Sequence, residues 1–329
     1  MRILPLCFAV IIAFASCSKK DDIVTTPDPI DPTVPMPDTL SAGFTVDASL
    51  GNKTFTDVFF TSNDVGYLAA NGAFYKTANG GVTWQPIPVE AGTNVASIGA
   101  WPGGNVAYTA MNSFVNSSTD GFTANSRRQE YFTPGGNVGF YDCFYPSQNK
   151  LYLSSGRYFW RSNDAGVTID TLYNFGTNSG SSSIYFINDN LGWIIRGEGV
   201  YKTTNGGASW TQKVSGSLNY ALIHFVNANI GFYSANNVVY KTTDGGDTWT
   251  PVYMSLPDSG LPGWYQDIAF LDSNNGYISD GRLLLKTTDG GATWTKLLRL
   301  GNPRIIEIHF TDVNHGWVVG TNLLVKFSQ

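Results

Sequence analysis

Four acidic residues share one recurring context. Asp57, Asp142, Asp267 and Glu307 each stand immediately before the first core residue of a similar apolar segment, at Val58, Cys143, Ile268 and Ile308. If those segments converge, the carboxyl groups converge with them. Paired carboxyls at such a place could serve as the acid and the base of glycoside hydrolysis. A second set of residues could recognise rather than react. Eight arginines follow Cys17, and Arg127, Arg128, Arg157, Arg196, Arg282 and Arg304 fall between apolar segments, with Arg299 just before such a gap. Tyr131, Phe132, Tyr173, Tyr220, Trp264 and Tyr265 share those stretches. The planar guanidinium fork suits carboxylates and interfaces, and arginine with aromatics is the usual composition of binding hot spots. Glu130, Glu198, Asp280 and Glu307 are near enough in the chain to neutralise some of these arginines as surface pairs instead.

Other chemistry is sparse. His224 and His309 occupy one repeated slot, Ile-His-Phe, which Phe59, Tyr185 and Ala269 fill elsewhere. A slot that accepts any of these residues is a packing position. Cys143 aligns with Ile184 and Ile223 and reads as a small buried hydrophobe. The histidine and cysteine spacings of metal sites, an acidic calcium loop, a nucleophile elbow and a phosphate loop are all missing, so no metal or cofactor is expected. With 20 basic residues against 25 acidic ones, the chain is mildly acidic, which argues against a nucleic-acid partner.

What must position these residues is a repeat. Lys202–Trp210 reads KTTNGGASW, and the phrase returns at Lys76–Trp84, Lys241–Trp249 and Lys286–Trp294, with degraded copies at Asn116–Ala124 and Arg161–Ile169. Taking Gly81, Gly121, Gly166, Gly207, Gly246 and Gly291 as markers, the spacings are 40, 45, 41, 39 and 45 residues. Periods of about 40–45 residues, rich in β-formers and punctuated by Gly and Asn, are those of four-stranded propeller blades. Each marker then forms the turn between third and fourth strands. A second phrase, as in Ile184–Trp193, supplies the first strand, a polar turn and the second strand. This arrangement puts markers and Asn-rich turns on one face. The second-to-third-strand turns, the links between blades and most of the arginines fall on the other. Residues 42–329 suffice for seven blades, although only six markers exist. The final stretch offers three strands, and Gly43–Asp47 is the expected fourth, closing the ring and removing free sheet edges.

The phrase Thr203-x-Asn205-x-Gly207-x-Ser209-Trp210 resembles the Asp-box, or BNR repeat. Its pairing with Phe-x-Asn-x-x-x-Gly-Trp resembles the photosystem II stability/assembly factor group, over roughly residues 54–329. That resemblance implies an all-β, seven-bladed propeller with an arginine patch on one face, acting without catalysis. Asp-box propellers also include sialidases and xyloglucan-cleaving enzymes. The sialidase arginine triad begins with a Phe/Tyr-Arg-Ile-Pro phrase, whereas the first arginine here after the leader is Arg127. The xyloglucan enzymes use two large propellers, and this chain has room for one.

The amino terminus reads as an address. Ile3–Ala15 is uncharged and too short to span a bilayer comfortably, and it ends in Phe14-Ala-Ser-Cys17. This resembles a lipoprotein signal: residues 1–16 are the leader, and Cys17 is the lipidated first residue. Lys20-Asp-Asp22 resembles a surface-export signal, and residues 17–41, rich in Pro and Asp, form an extended tether. The expectation is therefore an outer-membrane, cell-surface lipoprotein carrying a propeller at 42–329. It is expected to act as a non-catalytic binding or assembly platform for a protein or envelope complex through Arg127, Arg128, Tyr131, Arg157, Arg196, Tyr220, Trp264, Arg282 and Arg304. The alternative is a glycan-binding protein or a glycosidase using Asp57, Asp142, Asp267 and Glu307.

Overall fold

A computed structural model describes residues 43–329 apart from 91, 111–113, 125, 131, 134–135, 138, 178–181, 219–220, 255–266 and 301–303. The leader, the tether with Cys17, and Tyr131, Tyr220 and Trp264 lie outside the described residues.

Seven four-stranded antiparallel sheets form a ring. Blade 1 is Phe55–Phe60, Gly66–Ala70, Ala73–Thr77 and Gln85–Ile87; blade 2 is Val95–Trp101, Asn105–Ala110, Phe114–Ser118 and Arg127–Glu130. Blade 3 is Phe140–Ser147, Lys150–Ser155, Tyr158–Ser162 and Asp170–Asn174; blade 4 is Ser182–Phe186, Gly192–Arg196, Gly199–Thr203 and Thr211–Ser215. Blade 5 is Leu222–Phe225, Gly231–Ala235, Val238–Thr242 and Thr250–Met254; blade 6 is Ile268–Phe270, Gly276–Asp280, Leu283–Thr287 and Thr295–Arg299. Blade 7 takes Ile305–Asp312, His315–Gly320 and Leu323–Ser328 from the end of the chain and Phe44–Val46 from its start. Phe44 pairs with Phe327 and Val46 with Val325, so the expected closure is present. The first strand of each blade lies innermost and touches its counterparts in the neighbouring blades.

The six marker turns are built from their own residues. Asn79, Asp164, Asn205, Asp244 and Asp289 each accept the backbone N–H four residues on, at 2.8–2.9 Å. The Thr or Ser two residues earlier accepts the N–H of the second glycine, as Thr203 does from Gly207 at 2.9 Å. These bonds favour the charged carboxylate: Asp289, bonded by the Thr293 hydroxyl and amide, is pulled down to about 2. Copy two corrects the spacing argument by one residue. Phe122, not Gly121, donates its N–H to Ser118 and so takes the place of Gly81. Phe122 holds φ of 61° there, in the left-handed region where the other copies have glycine.

Blades are joined by a repeated aromatic contact. The ring after the second-strand glycine stacks on the first-strand Phe of the next blade: Trp193 on Phe225 and Trp317 on Phe60 at 3.4 Å, and Phe232 on Phe270 and Tyr277 on Phe310 at 3.6 Å. The marker Trp meets that Phe edge-on, as Trp84 does Phe60 at 5.9 Å. The marker tryptophans therefore fill the space between blades. Lysines before the markers reach across the same seam: Lys76 donates to the Gly121 carbonyl at 3.0 Å and Lys241 to the Gly290 carbonyl at 2.7 Å. Blade 2 departs from this plan. Its first strand has Ala100 where blade 3 has Tyr145 and the others have Phe, and Phe122 fills the gap against Phe74 and Tyr108.

Hydrogen bonds sort the turns onto two faces as the repeat requires. Marker glycines donate to the first-to-second-strand turns, as Gly206 does to Asn190 at 2.9 Å. On the opposite face the second-to-third-strand turns meet the inter-blade links: Ile305 donates to Gly281 at 2.8 Å and Leu300 to Arg282 at 3.0 Å.

Candidate functional site

The four acidic residues do converge. They sit at one level of the innermost strands, where blades 2, 4 and 5 carry Ser97, Ser183 and Leu222. Each of Asp57 and Glu307 feels the charge of the other acids in the ring. In blades 1, 2, 3 and 7 the strand pairing slips by one residue beside this level, next to Asp57, Ser97, Asp142 and Glu307, whereas the pairing after Asp267 is regular. Such bulges re-aim a side chain.

The aspartates spend their oxygens on the fold. Asp57 accepts the Ile98 N–H of blade 2 at 2.6 Å, Asp142 the Ile184 N–H of blade 4 at 2.8 Å, and Asp267 the Ile308 N–H of blade 7 at 2.7 Å. Asp142 also accepts the Ser97 hydroxyl at 2.9 Å. Each is thus a clasp between neighbouring innermost strands. Glu307 stands one residue before the Ile308 N–H that Asp267 accepts, so the two acids are neighbours across the blade 6–blade 7 seam. Burial raises all four, with added repulsion from the neighbouring acids at Asp57 and Glu307: Asp57 to about 8, Asp142 to about 6, Asp267 upward and Glu307 well upward.

Two residues further along these strands lie Phe59, Gly99, Phe144, Tyr185, His224, Ala269 and His309. The His224 ring sits 4.7 Å from Tyr185, and the His309 ring 4.8 Å from Phe59. Nε2 of His224 and of His309 lies 3.0 Å from the Phe270 and Phe60 carbonyls, again across a seam. Burial lowers both to about 4, so they are neutral donors at physiological pH, the packing role read from their slot. Cys143 is buried and its thiol is pushed up by burial, which leaves it a hydrophobe rather than a nucleophile.

The arginines divide. Arg157 and Arg282 stand in second-to-third-strand turns and Arg304 in the link to blade 7, on the face opposite the markers. Among the described residues none of the three forms an ion pair, and Nε of Arg282 is buried with no hydrogen-bond partner. The Arg282 turn and the Arg304 link are tied together by the Ile305–Gly281 bond, so the two arginines stem from one corner of the backbone. Arg299 pairs in register with Leu283 at the same corner. Arg127 and Arg128 lie in the outermost strand of blade 2 rather than in a loop; Arg128 stacks over Phe114 and pairs with Glu90. Arg196 is only 1% exposed: it pairs with Glu198 at 3.2 Å, donates to the Thr177 carbonyl at 2.9 Å and stacks over Phe175. It is a structural arginine and cannot touch a partner. Its neighbour Glu198 signals the ion pair in the sequence; the burial depends on Phe175, which the fold brings in from the previous blade.

No protein-family model and no curated protein matches the chain. Solved structures do resemble it. YCF48 bound to D1 peptide superposes with a TM-score of 0.70 at 16% identity, over 87% of this chain and 97% of that one. YCF48 from Cyanidioschyzon merolae gives 0.69 at 18%, over 87% and 99%. The GH74 enzyme of Niastella koreensis gives 0.61 at 18%, over 84% of this chain and 43% of that one. At these identities the likeness is one of fold.

Proposed function

We propose that this chain is a non-catalytic propeller platform that binds a protein partner through its arginine face, held at the bacterial outer-membrane surface by a lipid on Cys17. The observation that carries the reading is the corner formed by Arg282 and Arg304, two guanidinium groups without an ion-pair partner among the described residues, with Arg157 on the same face. An unpaired guanidinium retains its full capacity for a bidentate carboxylate contact. A solved propeller of similar fold was captured with a peptide bound, which supports a protein partner for this one. The Asp-box character of the marker turns and the photosystem assembly factor likeness belong to this proposal.

The glycosidase alternative fits the ring less well. Hydrolysis needs two carboxyl groups about 5–9 Å apart with a sugar between them. Asp57, Asp142 and Asp267 each commit an oxygen to the backbone N–H of a neighbouring strand. The test replaces Arg157, Arg282 and Arg304 together by Ser and compares capture from host envelope extracts with wild type. Loss of retained proteins at an unchanged melting temperature supports the platform. Undiminished capture, or reducing sugar released from a polysaccharide panel and abolished by Asp142→Asn, overturns it.

A further inference from the structure

The chain enters the propeller on the marker face. The Gly43 carbonyl accepts the Ser328 N–H at 2.8 Å, and the Gln329 N–H donates to Asn314, in the first-to-second-strand turn of blade 7, at 3.1 Å. Phe44–Val46 then runs toward the arginine face as the outermost strand of that blade. The marker face also holds an apolar channel mouth. Trp101, Pro146, Ile187, Val226 and Leu271 stand at the marker-face ends of the innermost strands of blades 2–6, each half-buried, with Thr61 and Thr311 completing the ring. Two residues deeper, the Tyr185 ring lies between Phe144 at 5.1 Å and His224 at 4.7 Å, while blades 2 and 6 bring only Gly99 and Ala269 to this level. The mouth is an apolar well with aromatic walls and room on two sides.

The segment before Gly43 carries a side chain suited to it. Residues 34–38 read Val-Pro-Met-Pro-Asp and lie outside the described residues. Three strand spacings, about 14 Å, separate the outermost from the innermost strand of a blade. Leu40, three residues before Gly43, reaches only about 10 Å inward. Met36, seven residues before Gly43, reaches about 23 Å, past the innermost strand to the mouth. It is the first long apolar side chain that does. Methionine fills irregular gaps and makes favourable contacts with aromatic rings. A proline on either side keeps it extended, which lowers the entropy lost on docking. Charge marks the route. Lys76 and Lys241 spend their ammonium groups on marker carbonyls of the next blade. Blade 7 has no marker, and Lys286, which faces it, forms no hydrogen bond or ion pair among the described residues. Asp38, two residues after Met36, lies on that path.

We propose that residues 34–38 dock on the marker face of their own chain, with Met36 in the channel mouth and Asp38 against Lys286, so that the propeller plugs its own channel and offers the opposite face. The plug stands whether or not the arginine face binds a partner.

The full chain carries its own probe. Met254 is 65% exposed and serves as the internal reference. Peroxide oxidation of Met36 and Met254 is followed by peptide mass spectrometry, each rate divided by its rate in the urea-unfolded chain. A segment docked nine-tenths of the time reacts about tenfold more slowly than one that is always free, so Met36 is expected to lag Met254 by that factor. Leu271→Asp, which puts a charge in the mouth, should bring the two rates together, and Lys286→Glu should narrow the lag. Equal rates in the wild type overturn the plug before any variant is made. A lag undiminished in either folded variant places Met36 elsewhere and overturns it as well.

Discussion

At the residue scale, the acid ring looks like chemistry and behaves like structure with a cost. A carboxyl raised by burial is protonated in the fold at a pH where the unfolded chain has released its proton. The unfolded state then binds fewer protons, so stability falls as pH rises. For Asp57 the fall begins near its ordinary value of 3.8 and ends near about 8. Asp57→Asn keeps an oxygen for the Ile98 N–H and removes the titration. The variant should match wild type at pH 4 and exceed it at pH 8 by on the order of a few kcal/mol. Thermal unfolding across that range checks this, and a wild-type melting temperature that rises from pH 5 to 8 contradicts it. Phe122 makes a second case. Its side chain fills the gap left by Ala100, and its backbone pays left-handed strain. Phe122→Ala should cost less than the about 3–5 kcal/mol of a fully buried ring, because Phe122 is only partly buried. Phe122→Gly should be roughly 1 kcal/mol less damaging than Ala, because it releases the strain. Denaturant melts of the pair separate the two effects, and a glycine variant no better than the alanine one removes the strain from the account.

At the element scale, the unit of stability is the seam rather than the blade. A second-strand aromatic, a first-strand Phe and a marker Trp come from two blades and meet as one cluster. Trp193→Ala removes a fully buried ring from such a cluster and should cost about 3–5 kcal/mol. The same change at the exposed Val82 should cost almost nothing, and equal losses at the two sites in chemical denaturation would remove the seam from the explanation. The period, the turn chemistry and the two-face sorting were legible in the chain because they depend on residues close in sequence, such as Thr203 and Asn205. The partners of Trp193 and Lys241 were not, because they lie in the next repeat and only stacking brings them together. Bulges beside Asp57, Asp142 and Glu307 leave no composition signal, so the sequence brought the acids to one level without revealing that they clasp neighbouring strands.

At the scale of the whole molecule, the two ends of the chain share blade 7, and the ring is closed by three residues from the start of the propeller. Phe44 is buried against Phe327 at 4.7 Å. Deleting residues 42–50 exposes the edge of Leu323–Ser328 and should abolish soluble expression; a truncated chain that melts like wild type would show that closure is dispensable. Closure leaves two broad faces. One is consumed by marker turns that bond to themselves and to their neighbours. The other carries Arg157, Arg282 and Arg304. The most direct measurement of the central claim is a hydrogen-exchange footprint of the propeller with its captured partner bound. Protection is expected at the Arg157 and Arg282 turns and the Arg304 link, with none at the marker turns. Protection confined to Asn205–Ser209 and its equivalents would contradict the claim.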